Sequence, residues 1–144
     1  MKAVYFTEHG GPEVLQYGDL PEPIPSANEV KIKVRACALN RLDVYTRAGV
    51  RGTKMDLKEP HVLGADVSGE IVEVGSDVTK VSVGDRVVVN PRITCMQCTY
   101  CQSNQSEYCD KAGMVGSGKR GGYAEFAVVP ASSAFPIPTS LSYV

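Results

Sequence analysis

Four of the five cysteines in this chain fall within fifteen residues, at Cys95, Cys98, Cys101 and Cys109, while Cys37 stands alone. No other feature constrains the fold as strongly. The spacing is C-x2-C-x2-C-x7-C, and a two-residue spacer lets two thiolates converge on one ion while the backbone amides between them donate to sulfur. Four thiolates make a closed tetrahedral zinc site with no position left for substrate, which is a structural site. Between Cys95 and Cys109 only Met96, Tyr100 and Tyr108 offer apolar packing, so the ion must order this segment. An iron–sulfur cluster is the competing occupant, because C-x2-C-x2-C also opens the bacterial ferredoxin run. That run finishes with C-x3-C-P, whereas here seven residues intervene and Asp110 follows.

Composition removes several other classes. The chain has 144 residues, 15 basic and 16 acidic, for a net charge of −1. That length suits one domain with its own core. No Lys/Arg cluster supports a nucleic-acid footprint, and no apolar run reaches the ~18 residues of a membrane span. The N-terminal stretch Met1–Phe6 is too short for a signal peptide and is followed by Glu8. A cytoplasmic location is therefore expected, where thiols stay reduced and a tight cysteine cluster binds metal before it forms disulfides.

Fourteen glycines and nine prolines turn the chain often and favour short strands. Lys2–Phe6 reads as a first strand, with Val14–Tyr17 pairing back onto it. Pro21, Pro23 and Pro25 make an extended connection. Val30, Ile32, Val34 and Ala36 alternate with Lys31, Lys33 and Arg35, which predicts a half-buried strand and puts Cys37 on its charged face as a passive thiol. Asn40–Gly49 changes period: Asn40 is a good N-cap, Asp43 sits at N3, and Gly49 can close a helix of about two turns. Val67–Val74 and Val81–Val89 read as strands, 113–122 as a glycine-rich loop, and Tyr123–Val129 as the last strand before a proline-extended tail. No βαβ alternation occurs, so the expected fold is mainly β: an irregular barrel with one or two short helices and a metal-pinned loop lobe at about 92–112.

Taken together, several motifs bear a family likeness. The cysteines follow Val87-Val88-Val89-Asn90-Pro91, and upstream stands Gly64-Ala65-Asp66-Val67-Ser68-Gly69-Glu70-Ile71-Val72-Glu73-Val74-Gly75. Val83-Gly84-Asp85-Arg86-Val87 and Gly122-Tyr123-Ala124-Glu125-Phe126 complete the order. On these the chain resembles, over essentially its whole length, the N-terminal GroES-like domain of the medium-chain dehydrogenase/reductase superfamily, which holds zinc alcohol dehydrogenases and NAD(P)H quinone reductases. The resemblance implies a GroES-like barrel on the substrate side of an NAD(P)-dependent oxidoreductase.

Departures from the family pattern refine that expectation. In the alcohol dehydrogenases a catalytic zinc takes a cysteine, which falls here at Asn40, and the histidine of a Gly-His-Glu motif, which falls here at Ala65. Alanine cannot ligate zinc and an amide ligates it poorly, so the usual catalytic site is absent. The stretch from Asn40 to Gly49 instead resembles the zinc-free quinone-reductase branch, which passes hydride from NADPH to a carbonyl, quinone or enone. By that likeness Asn40, Asp43 and Tyr45 would line the cleft, the amide or phenol bonding the acceptor carbonyl. Two alternatives stand beside it: a zinc alcohol dehydrogenase domain with ligands relocated to Cys37, His61 and Asp66, and a self-standing zinc or iron–sulfur module.

The likeness also implies a Rossmann domain that these residues do not contain. Neither G-x-G-x-x-G after a strand nor G-x4-G-K-[ST] is present. NAD(P)H would therefore bind elsewhere in a longer, homo-oligomeric protein, and the 144-residue chain alone is expected to be inactive. Its partners would be that Rossmann domain and a small carbonyl or quinone substrate.

Overall fold

The computed structural model describes residues 1–144. The chain begins with β1 (Lys2–Phe6) and β2 (Gln16–Asp19), then β3 (Glu29–Ala38) leads into helix α1 (Arg41–Ala48). After a loop come β4 (His61–Val62), β5 (Asp66–Val74) and β6 (Arg86–Val89). The cysteine region runs from β7 (Arg92–Ile93) through the short helix α2 (Thr99–Gln102) to β8 (Gly113–Val115) and β9 (Gly118–Lys119). β10 (Phe126–Pro130) and β11 (Ala134–Pro136) finish the chain. The mainly β architecture with two short helices is as expected from the sequence.

A five-stranded antiparallel sheet in the order β10-β3-β5-β6-β11 dominates the structure. Its inward side chains make the core: Val30, Ile32, Val67, Ile71, Val87 and Val129 are all essentially inaccessible. Each such side chain contributes about 1.5–3 kcal/mol by leaving water. A second sheet, β2-β1-β4, joins the first through the Ala3–Ala124 bridge and the bond from the Val4 amide to the Tyr123 carbonyl at 2.7 Å. The third sheet, β7-β8-β9, belongs to the cysteine lobe, and Val115 at its inner end reaches into the main core.

Several expectations about elements need correction. β10 is not the last strand, because β11 pairs with β6 through Ala134–Val89, Phe135–Val88 and Pro136–Val87. Pro130 and Pro136 sit in β10 and β11, the two edges of the sheet, where a missing N–H breaks no ladder. Only Arg86–Val89 is strand within 81–89, and the turn at Gly84 (φ 93°) precedes it. The 113–122 stretch is not merely loop, since it supplies β8 and β9. Cys37 does not occupy the charged face. The β3–β5 register shifts between Val34 and Ala36, so Arg35 bulges out and the residues beyond it change sides, placing Cys37 against the core.

Candidate functional site

Helix α1 is built as its sequence requires. The Asn40 carbonyl-side oxygen Oδ1 accepts the Leu42 amide at 3.0 Å, and the Asn40 amide donates to Asp43 Oδ2 at 2.8 Å, completing a capping box. Gly49 closes the helix in the left-handed region (φ 68°). His9 holds the far end, with Nδ1 at 3.0 Å from the Thr46 carbonyl and Nε2 accepting the Met55 amide at 3.0 Å.

The β3–β5 pairing then decides what faces the helix start. Ala38 lies opposite Asp66, so Asn40, two residues beyond β3, meets the beginning of β5. Asn40 Nδ2 donates to Asp66 Oδ2 at 2.8 Å. With Oδ1 and one Nδ2 hydrogen engaged, the amide plane is fixed and its second Nδ2 hydrogen remains available at an exposed position.

Asp43, expected beside Asn40 and Tyr45, is a buried residue. It is 6% exposed, and its carboxylate accepts the Asn40 amide, the Gly64 amide at 3.0 Å and the Tyr123 hydroxyl at 2.7 Å. It positions the helix, the Gly64 turn and the Gly122–Phe126 segment together. In the sequence Tyr123 stands only as part of a motif, and its side-chain role has no local signal. Burial and the bond to Asp43 both raise its pKa. Gly64 (φ 99°) is required there, because a Cβ would come within 2.7 Å of both the Cys37 sulfur and the Tyr123 ring. Cys37 is pushed up to about 12 by burial, with Asp43 and Asp66 adding to the effect, so it stays a neutral thiol.

Tyr45 is half-buried, and the Arg51 guanidinium stands 4.8 Å from its ring centre. Ala65 is buried and offers no ligand. The relocated set of Cys37, His61 and Asp66 is not brought together: His61 is buried edge-on to Phe6, with Nε2 at 3.2 Å from the Gly116 carbonyl. Burial lowers its pKa. The residues around Asn40 therefore do not fit a catalytic zinc.

The four cysteines do converge. Their sulfurs lie within 4.8 Å of one another, the only group of three or more such donors in the chain to do so. Cys95 is 3.9 Å from Cys101 and 3.6 Å from Cys109, sulfur to sulfur. Tetrahedral zinc with ~2.3 Å bonds places its sulfurs about 3.8 Å apart, so the donor set fits that ion. The Cys98 amide donates to the Cys95 sulfur at 3.3 Å, and the Cys95 amide to the Cys109 sulfur at 3.4 Å. Backbone donors at Gln97 and Cys98 pull the Cys95 thiol down to about 6. Partial burial and the Cys98 and Cys109 sulfurs push Cys101 up to about 12, so holding all four as thiolates at this distance requires a cation among them.

Known proteins resemble this chain in sequence and in fold. Residues 26–139 match the alcohol dehydrogenase GroES-like domain family. L-threonine 3-dehydrogenase of Shewanella loihica is 34% identical over 124 residues, which cover 86% of this chain and 36% of that enzyme. A crystal structure of an NAD-dependent alcohol dehydrogenase superposes with a TM-score of 0.91 at 43% identity, covering 99% of this chain and 41% of the other. The cobalt- and zinc-bound thermostable alcohol dehydrogenase from Pyrobaculum aerophilum gives a TM-score of 0.85 at 36% identity, covering 94% and 40%. The chain thus spans well under half the length of these relatives. No helix is long and apolar enough to cross a membrane.

Proposed function

The chain belongs to the alcohol dehydrogenase GroES-like domain family of the zinc-type medium-chain dehydrogenases, and from that premise we propose that it is the acceptor-binding portion of a cytoplasmic NAD(P)H-dependent reductase. The acceptor is a carbonyl, quinone or enone. A structural zinc sits on Cys95, Cys98, Cys101 and Cys109, within a lobe spanning about 92–112, and no catalytic zinc is used.

One observation carries this reading. Position 40 offers an amide, bonded to Asp66, and position 65 a buried alanine, so neither supplies a thiolate or an imidazole to a metal. The second Nδ2 hydrogen of Asn40 is free to donate to an acceptor oxygen on which negative charge develops. Tyr45, on the same helix, is the second cleft residue, while the buried Asp43 has a positioning role, holding Asn40, Gly64 and Tyr123 in place. In the cysteine lobe a bound zinc would neutralise the four thiolates and hold the segment folded.

No glycine-rich dinucleotide cradle exists in these residues, so the hydride donor is assigned to a Rossmann domain in a longer, homo-oligomeric protein. The 144-residue chain then turns over nothing by itself. The test is metal content on protein purified without added metal, followed by NADPH oxidation with a quinone using the full-length enzyme. One zinc, no iron and quinone-dependent turnover are expected. Two zincs per chain would favour alcohol oxidation at a rebuilt site, and iron with sulfide would remove the zinc assignment.

A further inference from the structure

The segment 40–55 is electropositive within a chain of net charge −1: Arg41, Arg47, Arg51 and Lys54 face a single acid, Asp43. Asp43 is buried and bonded to three donors. Arg47 has a structural explanation, since its Nε donates to the Gly10 carbonyl at 3.2 Å. Lys58 and Arg120 are paired with Asp56 and Glu59. Arg41, Arg51 and Lys54 have neither a side-chain hydrogen bond nor a carboxylate partner, and of the three only Arg51 is held over an aromatic ring.

Its backbone is also in the wrong place for an arginine. Arg51 has φ 55°, in the left-handed region, two residues after Gly49 (φ 68°) and next to Gly52 (φ 81°). Glycine would adopt that conformation without strain, and an L side chain does not. The strained turn folds the exposed guanidinium back to 4.8 Å from the ring centre of Tyr45. A guanidinium over an aromatic ring keeps its planar edge of N–H donors outward, and that edge matches the paired oxygens of a carboxylate or phosphate.

We propose that Arg51, mounted on Tyr45, is an anion-recognition residue of the acceptor cleft. It takes the carboxylate or phosphate oxygens of a bound small molecule. This assignment rests on the placement of α1 along the cleft proposed above. Two molecules could carry the anion: a carbonyl acceptor bearing a carboxylate, or the phosphates of the nicotinamide nucleotide.

The experiment is an NMR titration of the 144-residue chain at low ionic strength, following the Arg51 Nε–H and Tyr45 ring signals. The probes are pyruvate, inorganic pyrophosphate and the neutral pyruvamide. A saturable shift with pyruvate assigns the site to a carboxylated acceptor, and one with pyrophosphate alone assigns it to the nucleotide; either supports the proposal. Arg51→Gly is expected to weaken binding by roughly tenfold, the value of a charge-assisted hydrogen-bonded pair. The same substitution is expected to raise Tm, because it relieves the left-handed strain. The proposal is overturned if neither anion shifts Arg51, if pyruvamide shifts it equally, or if Arg51→Gly leaves affinity unchanged. Binding is read here without turnover, so a failed reductase assay and a failed anion site remain separate results.

Discussion

The Tyr123 hydroxyl donates to Asp43 Oδ2 at 2.7 Å across 80 positions of sequence, tying the final third of the chain to the first turn of α1. Asp43 is buried, so losing this donor leaves its carboxylate with one partner fewer in a poorly solvated site. Tyr123→Phe is expected to lower stability by about 2 kcal/mol, the usual scale for a hydrogen bond to a charged group. Asp43→Ala removes the acceptor for three donors and should cost more than Tyr123→Phe. Urea unfolding of the two variants checks the order, and equal midpoints for wild type and Tyr123→Phe would refute it.

Stability should fall in alkaline solution through the same cluster. The Cys37 thiol is raised from 9.0 to about 12 in the folded chain by burial, and Tyr123 is raised by burial and by Asp43. Each group is easier to deprotonate unfolded than folded. Their stabilising contributions are therefore complete below the unfolded pKa values and are lost as pH rises toward the folded ones. For Cys37 that window runs from about pH 9 to about pH 12. Cys37→Ala should flatten the slope of unfolding free energy against pH in that range.

Removing metal should unfold only part of the molecule. The 92–112 lobe contributes little apolar burial of its own, whereas the valine and isoleucine core belongs to the five-stranded sheet. Chelation should release one zinc and expose the amides of the lobe to hydrogen exchange, while those of β3 and β5 stay protected. Val115 links the lobe to the core, so β8 should show intermediate protection. Uniform loss of protection across the chain would contradict this division.

Thr46 is wholly buried on α1, and its hydroxyl has no hydrogen-bond partner. Valine has nearly the same shape without the unpaired polar atom. Thr46→Val is expected to raise stability by about 1 kcal/mol, measured by thermal or urea unfolding.

Much of α1 and of the cysteine cluster is legible in the sequence. Asn40, Asp43 and Gly49 act within one short helix, where capping rules are local. The cysteine spacing likewise brings thiols together through short loops, and the sulfurs converge. Strand prediction was less complete. β11 was hidden by Pro136, which an edge strand tolerates, and the 113–122 glycines concealed β8 and β9. Cys37 falls on the opposite side from the one its alternation predicts because one bulged residue, Arg35, reverses the pattern, which period-two counting cannot see.

Short-range order thus set the helix cap, the metal-ligand spacing and the absence of a thiolate and imidazole at positions 40 and 65. Those properties depend on residue chemistry and on contacts a few positions apart. Tertiary pairing decided the rest. The β3–β5 register brought Asn40 to Asp66, the Gly122–Phe126 segment delivered Tyr123 to Asp43, and the same fold kept His61 away from Cys37. Contacts between residues 26 to 80 positions apart depend on sheet register and close packing, which no local pattern encodes.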